Sequence, residues 1–114
     1  MEFDTIYRLK SVSDDTLLFF EDDSPYEHIE KSVLFWNDRL CIETYESDKG
    51  PDYDIFVNYY LFDQNASKKL LEHFGGLEPF YEELRKGGIQ GDFERISKSL
   101  GISPQRLKAN PFVK

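Results

Sequence analysis

"VLFWNDRLCIETYE", residues 33–46, sets the apolar run Val33 to Trp36 against a second one at Leu40, Cys41 and Ile42, with Asn37-Asp38 between them. Asn and Asp tolerate the left-handed backbone of a tight hairpin loop, so the stretch reads as two antiparallel strands joined there. Asn-Asp is a weaker turn than Asn-Gly, and one continuous strand from Val33 to Glu46 is the competing reading. Both commit this part of the chain to β-structure.

On the N-terminal side, "TLLFF" (Thr16 to Phe20) is a continuous apolar run of strand length, as expected of a strand covered on both faces. Further out, Phe3, Thr5, Tyr7 and Leu9 alternate on one face of "FDTIYRL", which predicts a first strand, and "SVSDD" reads as the turn after it. Between "TLLFF" and the hairpin, "SPYE" carries a helix-start signal. Ser24 is placed to cap, Pro25 supplies the fixed φ of a first helical position, and Glu27 completes a capping box. Tyr26, Ile29 and Val33 would share a face, and Asp22 and Asp23 would sit at the positive end of the helix.

On the C-terminal side, "SDKGPD" (Ser47 to Asp52) reads as a turn. "YDIFVNYYLF" (Tyr53 to Phe62) is β-branched and aromatic with both faces mostly apolar, the best candidate for a central strand. After Asp63 the period changes from two to 3.6. Ala66, Leu70, Leu71 and Phe74 form one helical stripe, capped by Asn65 and stopped by Gly75-Gly76; Leu77, Phe80, Tyr81 and Leu84 form the next. Phe93, Ile96 and Leu100, with Asp92 as cap, predict a third helix, and "SPQRLKANP" repeats the Ser-Pro start at Ser103 and ends at Pro111. The expected fold is α+β in one domain, 1–114: residues 1–63 mainly strands, 64–114 mainly helices. An antiparallel sheet of four or five strands with a short helix would carry three or four helices on one face.

At 114 residues, with ten Phe and seven Tyr, the chain has enough large apolar side chains for a core without staples. Its single cysteine, Cys41, forms no internal disulfide. No apolar run approaches the roughly 20 residues of a membrane helix, and no basic-then-apolar leader opens the chain. A cytoplasmic protein without membrane contact is expected. The net charge is −8, unevenly spread: residues 1–84 carry 20 Asp and Glu against 7 Lys and Arg, residues 85–114 carry 2 against 7. The acidic part repels nucleic acid and attracts basic proteins.

Catalytic chemistry finds little purchase. Nucleophilic catalysis needs a Ser or Cys beside a His; the only imidazoles are His28 and His73, and Cys41 lies among apolar neighbours. His73, at a helix end, suits the dipole there. In "EHIE", a helix would turn His28 about 100° away from Glu27 and Glu30. Asp48, Asp52 and Asp54 lack the calcium-loop pattern, and neither Gly-Gly pair has phosphate-loop spacing. No enzyme activity, cofactor or metal is expected.

Two constellations remain. "FERISKSLGISPQRL" resembles the helix-turn-helix of DNA-binding proteins: Ile96, Ser97, Leu100, Gly101, Ile102 and Leu107 match its apolar, small and glycine positions. That resemblance implies a recognition helix carrying Gln105, Arg106 and Lys108, and a small DNA-binding regulator. Asn110, where an apolar residue is expected, and Pro111 depart from the motif. The other constellation is acidic and aromatic. Between Asp14 and Glu30 there are seven acids and no base; Glu21, Asp22, Asp23, Tyr26 and Glu27 form one cluster, and Asp48, Asp52, Tyr53 and Asp54 another. Carboxylates matched to Lys and Arg, with Tyr filling pockets, suit a partner that normally holds phosphate. In size, single cysteine, these clusters and the lack of catalytic groups, the chain resembles the small acidic immunity proteins made against nuclease toxins of the bacteriocin and contact-dependent growth inhibition type. The resemblance implies a non-enzymatic, cytoplasmic inhibitor of one cognate basic toxin domain.

Overall fold

Asn37 and Asp38 adopt φ of 52° and 61°, the left-handed pair that closes a two-residue hairpin, and Trp36 faces Arg39 across it. This is the hairpin alternative, and the rest of the sheet is laid against it. The computed structural model describes residues 8–51, 54–87 and 93–113. In chain order the elements are α1 (Leu9–Val12), β1 (Leu17–Asp23), β2 (Glu27–Trp36), β3 (Arg39–Asp48), β4 (Ile55–Leu61), α2 (Gln64–Phe74), α3 (Leu77–Arg85), α4 (Phe93–Ser99) and β5 (Gln105–Leu107). The five strands form an antiparallel meander in the order β1-β2-β3-β4-β5. The fold is α+β as expected: a mostly N-terminal sheet, three helices packed on it, and a small C-terminal strand.

The larger core lies between one sheet face and α2, α3 and α4. Val33, Leu40, Ile42 and Phe62 meet Ala66, Leu70, Phe80, Tyr81 and Leu84 there, with Phe93 and Ile96 at its border. Asp63, two residues ahead of the expected Asn65, caps α2 by accepting the Ala66 N–H at 2.7 Å. Gly75, at φ 90°, ends it: the Gly76 N–H bonds the Leu71 carbonyl at 2.8 Å. The opposite face buries Leu34, Cys41, Tyr59 and Leu61 under Leu9, with Val12, Leu107 and Phe112 beside them.

Three expectations fail, each for a physical reason. Ser24 starts no helix. Its Oγ does accept the N–H groups of Tyr26 (3.3 Å) and Glu27 (3.1 Å), the capping bonds the sequence announces. The chain then reverses, with the Ser24 N–H on the Glu27 carbonyl at 2.9 Å, and pairs as β2 with strands on both sides. A cap specifies one turn; two strands outweigh it.

"TLLFF" is not covered on both faces. A bulge between Leu18 and Phe20 shifts the register, so Leu17, Phe19 and Phe20 all reach the helix-side core while Leu18 is exposed. The stretch expected to be a central strand supplies β4, which lies between β3 and β5 and sends Tyr59 and Leu61 into the second core and Tyr60 toward the first, while its leading residues Ile55 and Phe56 are exposed.

Ser103-Pro104 opens no helix either. Gly101, at φ 69°, closes α4, and the Ile102 N–H bonds the Ser97 carbonyl at 2.9 Å. The chain leaves extended, and Gln105, Arg106 and Leu107 pair with Leu61, Tyr60 and Tyr59. Leu107 packs against the second core, and Asn110 turns the chain by accepting the Phe112 N–H at 2.9 Å. The helix-turn-helix therefore lacks its second helix. The strand expected from Phe3 to Leu9 and the Asp92 cap fall mainly outside the described residues, and Leu9 itself begins α1.

Candidate functional site

The meander brings the two acidic stretches to one place. Asp22 and Asp23 end β1, Glu27 begins β2, Asp48 ends β3, and Asp54 immediately precedes β4. Glu27 and Asp48 are direct cross-strand partners. The Lys49 N–H bonds the Tyr26 carbonyl at 2.9 Å, tying the β1–β2 turn to the β3–β4 connection, and the Asp48 N–H bonds the Asp54 carbonyl at 2.8 Å across that connection. Tyr26, 81% exposed, stands at the tip of the β1–β2 turn. Asp52 and Tyr53 lie outside the described residues.

Strand periodicity divides these acids between two faces. Asp22 opposes Ile29, so Asp22, Glu27 and Asp48 share the helix-bearing side, beyond the reach of the helix-packed core; Glu21 and Asp23 point to the other face. Among the described residues, Glu21, Asp22, Glu27, Asp48 and Asp54 make no ion pair, whereas Asp23 is engaged by Lys49 and His28. Sequence reasoning missed two members of this end, Phe56 (55% exposed) and Ile55 (39%). Their apolar run reads as a buried strand, and only the open end of the sheet leaves them in solvent.

Beneath the acidic end a polar chain runs along the α1 side of the sheet. Glu43, 1% exposed, accepts Arg8 Nε at 2.8 Å and Nη2 at 2.6 Å on one oxygen, and the Leu9 N–H at 2.8 Å on the other. Arg8 also lies 4.2 Å above the Tyr45 ring centroid and reaches Glu30 at 3.3 Å. Glu30 contacts His28 Nε2 at 2.7 Å, and Asp23 contacts His28 Nδ1 at 3.3 Å. The hydrogen bond to Glu30 raises the His28 pKa above the ordinary imidazole value, with Asp23 adding to it against partial desolvation. Lys49, by hydrogen bond and charge, holds Asp23 below the usual carboxylate range. For Glu30, burial works upward, but His28 and Arg8 together bring it down. Among the described residues His28 hydrogen-bonds only to carboxylates, so no hydroxyl or thiol is placed for it to activate. Cys41 is fully buried and its thiol is pushed up to about 12 by desolvation, with the Glu43 charge assisting.

The basic residues named for DNA recognition sit on an edge strand and just beyond it. Arg106 (3.3 Å from both Nε and Nη2) and Lys108 (2.9 Å) converge on Asn58 Oδ1, and Gln105 is exposed. They form a small cationic patch, not the face of a helix. A separate open depression lies between the β2–β3 turn and α2, lined by Phe35, Asp38, Gln64, Lys68 and Leu71. Among the described residues no helix is long and apolar enough to cross a membrane. In comparisons with known proteins, no family model, no curated protein and no solved structure matches this chain.

Proposed function

We propose that this chain is an acidic protein-binding module that neutralises a cognate basic toxin domain, a nuclease, in the manner of bacteriocin and contact-dependent growth inhibition immunity proteins. It acts without catalysis, in the cytoplasm. The observation that carries the proposal is the convergence of two acidic stretches, separate in sequence, on one end of the sheet, with Tyr26 in one and Ile55 and Phe56 directly after the other. The carboxylates of Asp22, Glu27, Asp48 and Asp54, which make no ion pair among the described residues, offer negative potential to Lys and Arg. Tyr26, Ile55 and Phe56 offer apolar area to bury once charges have met. That combination, charge for steering and aromatics for residence, suits tight inhibition of an enzyme whose own site is cationic.

A pull-down with a basic nuclease domain, sought first among the products of adjacent genes, tests it. Capture by the wild-type chain is expected, with loss in the Asp22→Lys plus Glu27→Lys variant. Capture unchanged by that reversal would mean that the carboxylates serve solvation alone. The DNA-binding regulator is separated by a polarisation assay on random duplex at low salt. Affinity that disappears with Arg106→Glu plus Lys108→Glu would favour the patch on β5 over the acidic end.

A further inference from the structure

On a helix, His28 would turn away from its acidic neighbours; on β2 it does the reverse. His28 and Glu30 are two apart on a strand and so point to one face, and Glu21 on β1 is the direct cross-strand partner of Glu30. One ligand atom from each of the three side chains lies within 4.8 Å of the other two. We propose that Glu21, His28 and Glu30 form a binding site for a divalent first-row transition cation of the zinc type, with water completing its shell.

The donor set suits that class. Zinc takes imidazole nitrogen and carboxylate oxygen at about 2.0–2.2 Å, so neighbouring ligands of a tetrahedral ion stand roughly 3.3 Å apart. His28 Nε2 and Glu30 Oε2 are 2.7 Å apart, and the widest separation in the trio is under 4.8 Å. One nitrogen beside two carboxylates favours zinc and its neighbours over calcium, which takes six to eight oxygens.

The surroundings match what such ions require beyond their ligands. Asp23 Oδ1 lies 3.3 Å from His28 Nδ1, which orients the ring and leaves Nε2 as the ligand atom. Arg8 holds the other Glu30 oxygen, Oε1, at 3.3 Å and leaves Oε2 toward His28. Outer partners of this kind fix ligand orientation, and their loss costs about 10–100-fold in metal affinity. Asp23 and Arg8 are therefore positioning residues for the site. Glu21, Glu30 and Asp23 outnumber Arg8 and Lys49 around it, so the local charge favours a cation.

The proposal is independent of the protein-binding function and is tested on the chain alone. Titration calorimetry with zinc chloride, after chelator treatment and at pH 7.5, is expected to show one ion bound per chain in the micromolar range. His28→Ala should abolish uptake, Glu21→Gln and Asp23→Asn should each weaken it by about tenfold or more, and His73→Ala should leave it unchanged. Cobalt in place of zinc should give a visible absorption band that His28→Ala removes, and zinc should shift the His28 Nε2 resonance without any substitution. Uptake only at millimolar zinc would overturn the site, as would uptake that survives His28→Ala or disappears with His73→Ala.

Discussion

Glu27 on β2 and Asp48 on β3 stand directly opposite each other at the open end of the sheet, two carboxylates in a register position that ordinarily favours opposite charges. Folding gains nothing from the pair. Replacing Glu27 by Lys should raise stability by roughly 0.2–1 kcal/mol, because a repulsive cross-strand contact becomes attractive. A urea midpoint that rises at low salt, with the gain shrinking as ionic strength increases, checks this; a fall would show that Glu27 supports the fold.

Glu43 makes the opposite case, a carboxylate the fold depends on. It is 1% exposed and satisfies two Arg8 nitrogens and the Leu9 N–H. Glu43→Ala leaves the half-buried guanidinium without its main partner and the start of α1 without an acceptor. Unfolding free energy should drop by about 3–5 kcal/mol, the usual consequence of removing one half of a buried ion pair. Chemical denaturation measures it, and the loss should be much smaller in an Arg8→Met background.

His28 gives the metal-free protein a defined pH window. Its pKa is raised, chiefly by the hydrogen bond to Glu30, so the stability it contributes is complete below about pH 6.5 and disappears as pH rises through the folded value. Asp23 and Glu30 are lowered, so their contribution is complete above the ordinary carboxylate range, near pH 4, and fades as pH falls through their folded values. Stability from this cluster therefore peaks between the two limits. NMR titration should place the His28 midpoint above 6.5, and Glu30→Gln should bring it down.

Cys41 should resist thiol reagents in the folded protein. It is fully buried and its thiol is pushed up to about 12, so almost no thiolate exists at neutral pH. Labelling with iodoacetamide should proceed only at the rate of unfolding and should accelerate with denaturant. Fast labelling in native buffer would contradict the packing of the second core.

The pattern of what was legible follows from the range of each signal. Hairpin chemistry at Asn37-Asp38 and the 3.6-residue stripes of α2 and α3 are local and survive into the structure. Two Ser-Pro sequences, at Ser24 and Ser103, carry the same helix-start code, and both lead into strands. At Ser24 the capping bonds even form. Pairing with distant strands then decides the outcome, and no window of four residues reports that. The bulge at Phe19 is invisible for the same reason, since it is defined only against β2.

The candidate site was partly readable. Its acids and Tyr26 stand out by composition alone, but their division between two faces depends on register. His28 was hidden by the helix reading, which turned it away from Glu30. The 2.7 Å contact between them exists because the segment is extended.

The most direct test of an acidic end that steers a cationic partner is the association rate with a basic nuclease domain that the chain captures, followed as a function of ionic strength. For the wild-type chain that rate should fall steeply as salt is raised toward 0.15 M, where the screening length is about 8 Å. For Asp22→Lys plus Glu27→Lys it should start at least about tenfold lower and change little with salt. Equal rates and equal salt slopes for the two proteins, with both fully folded, would contradict the account.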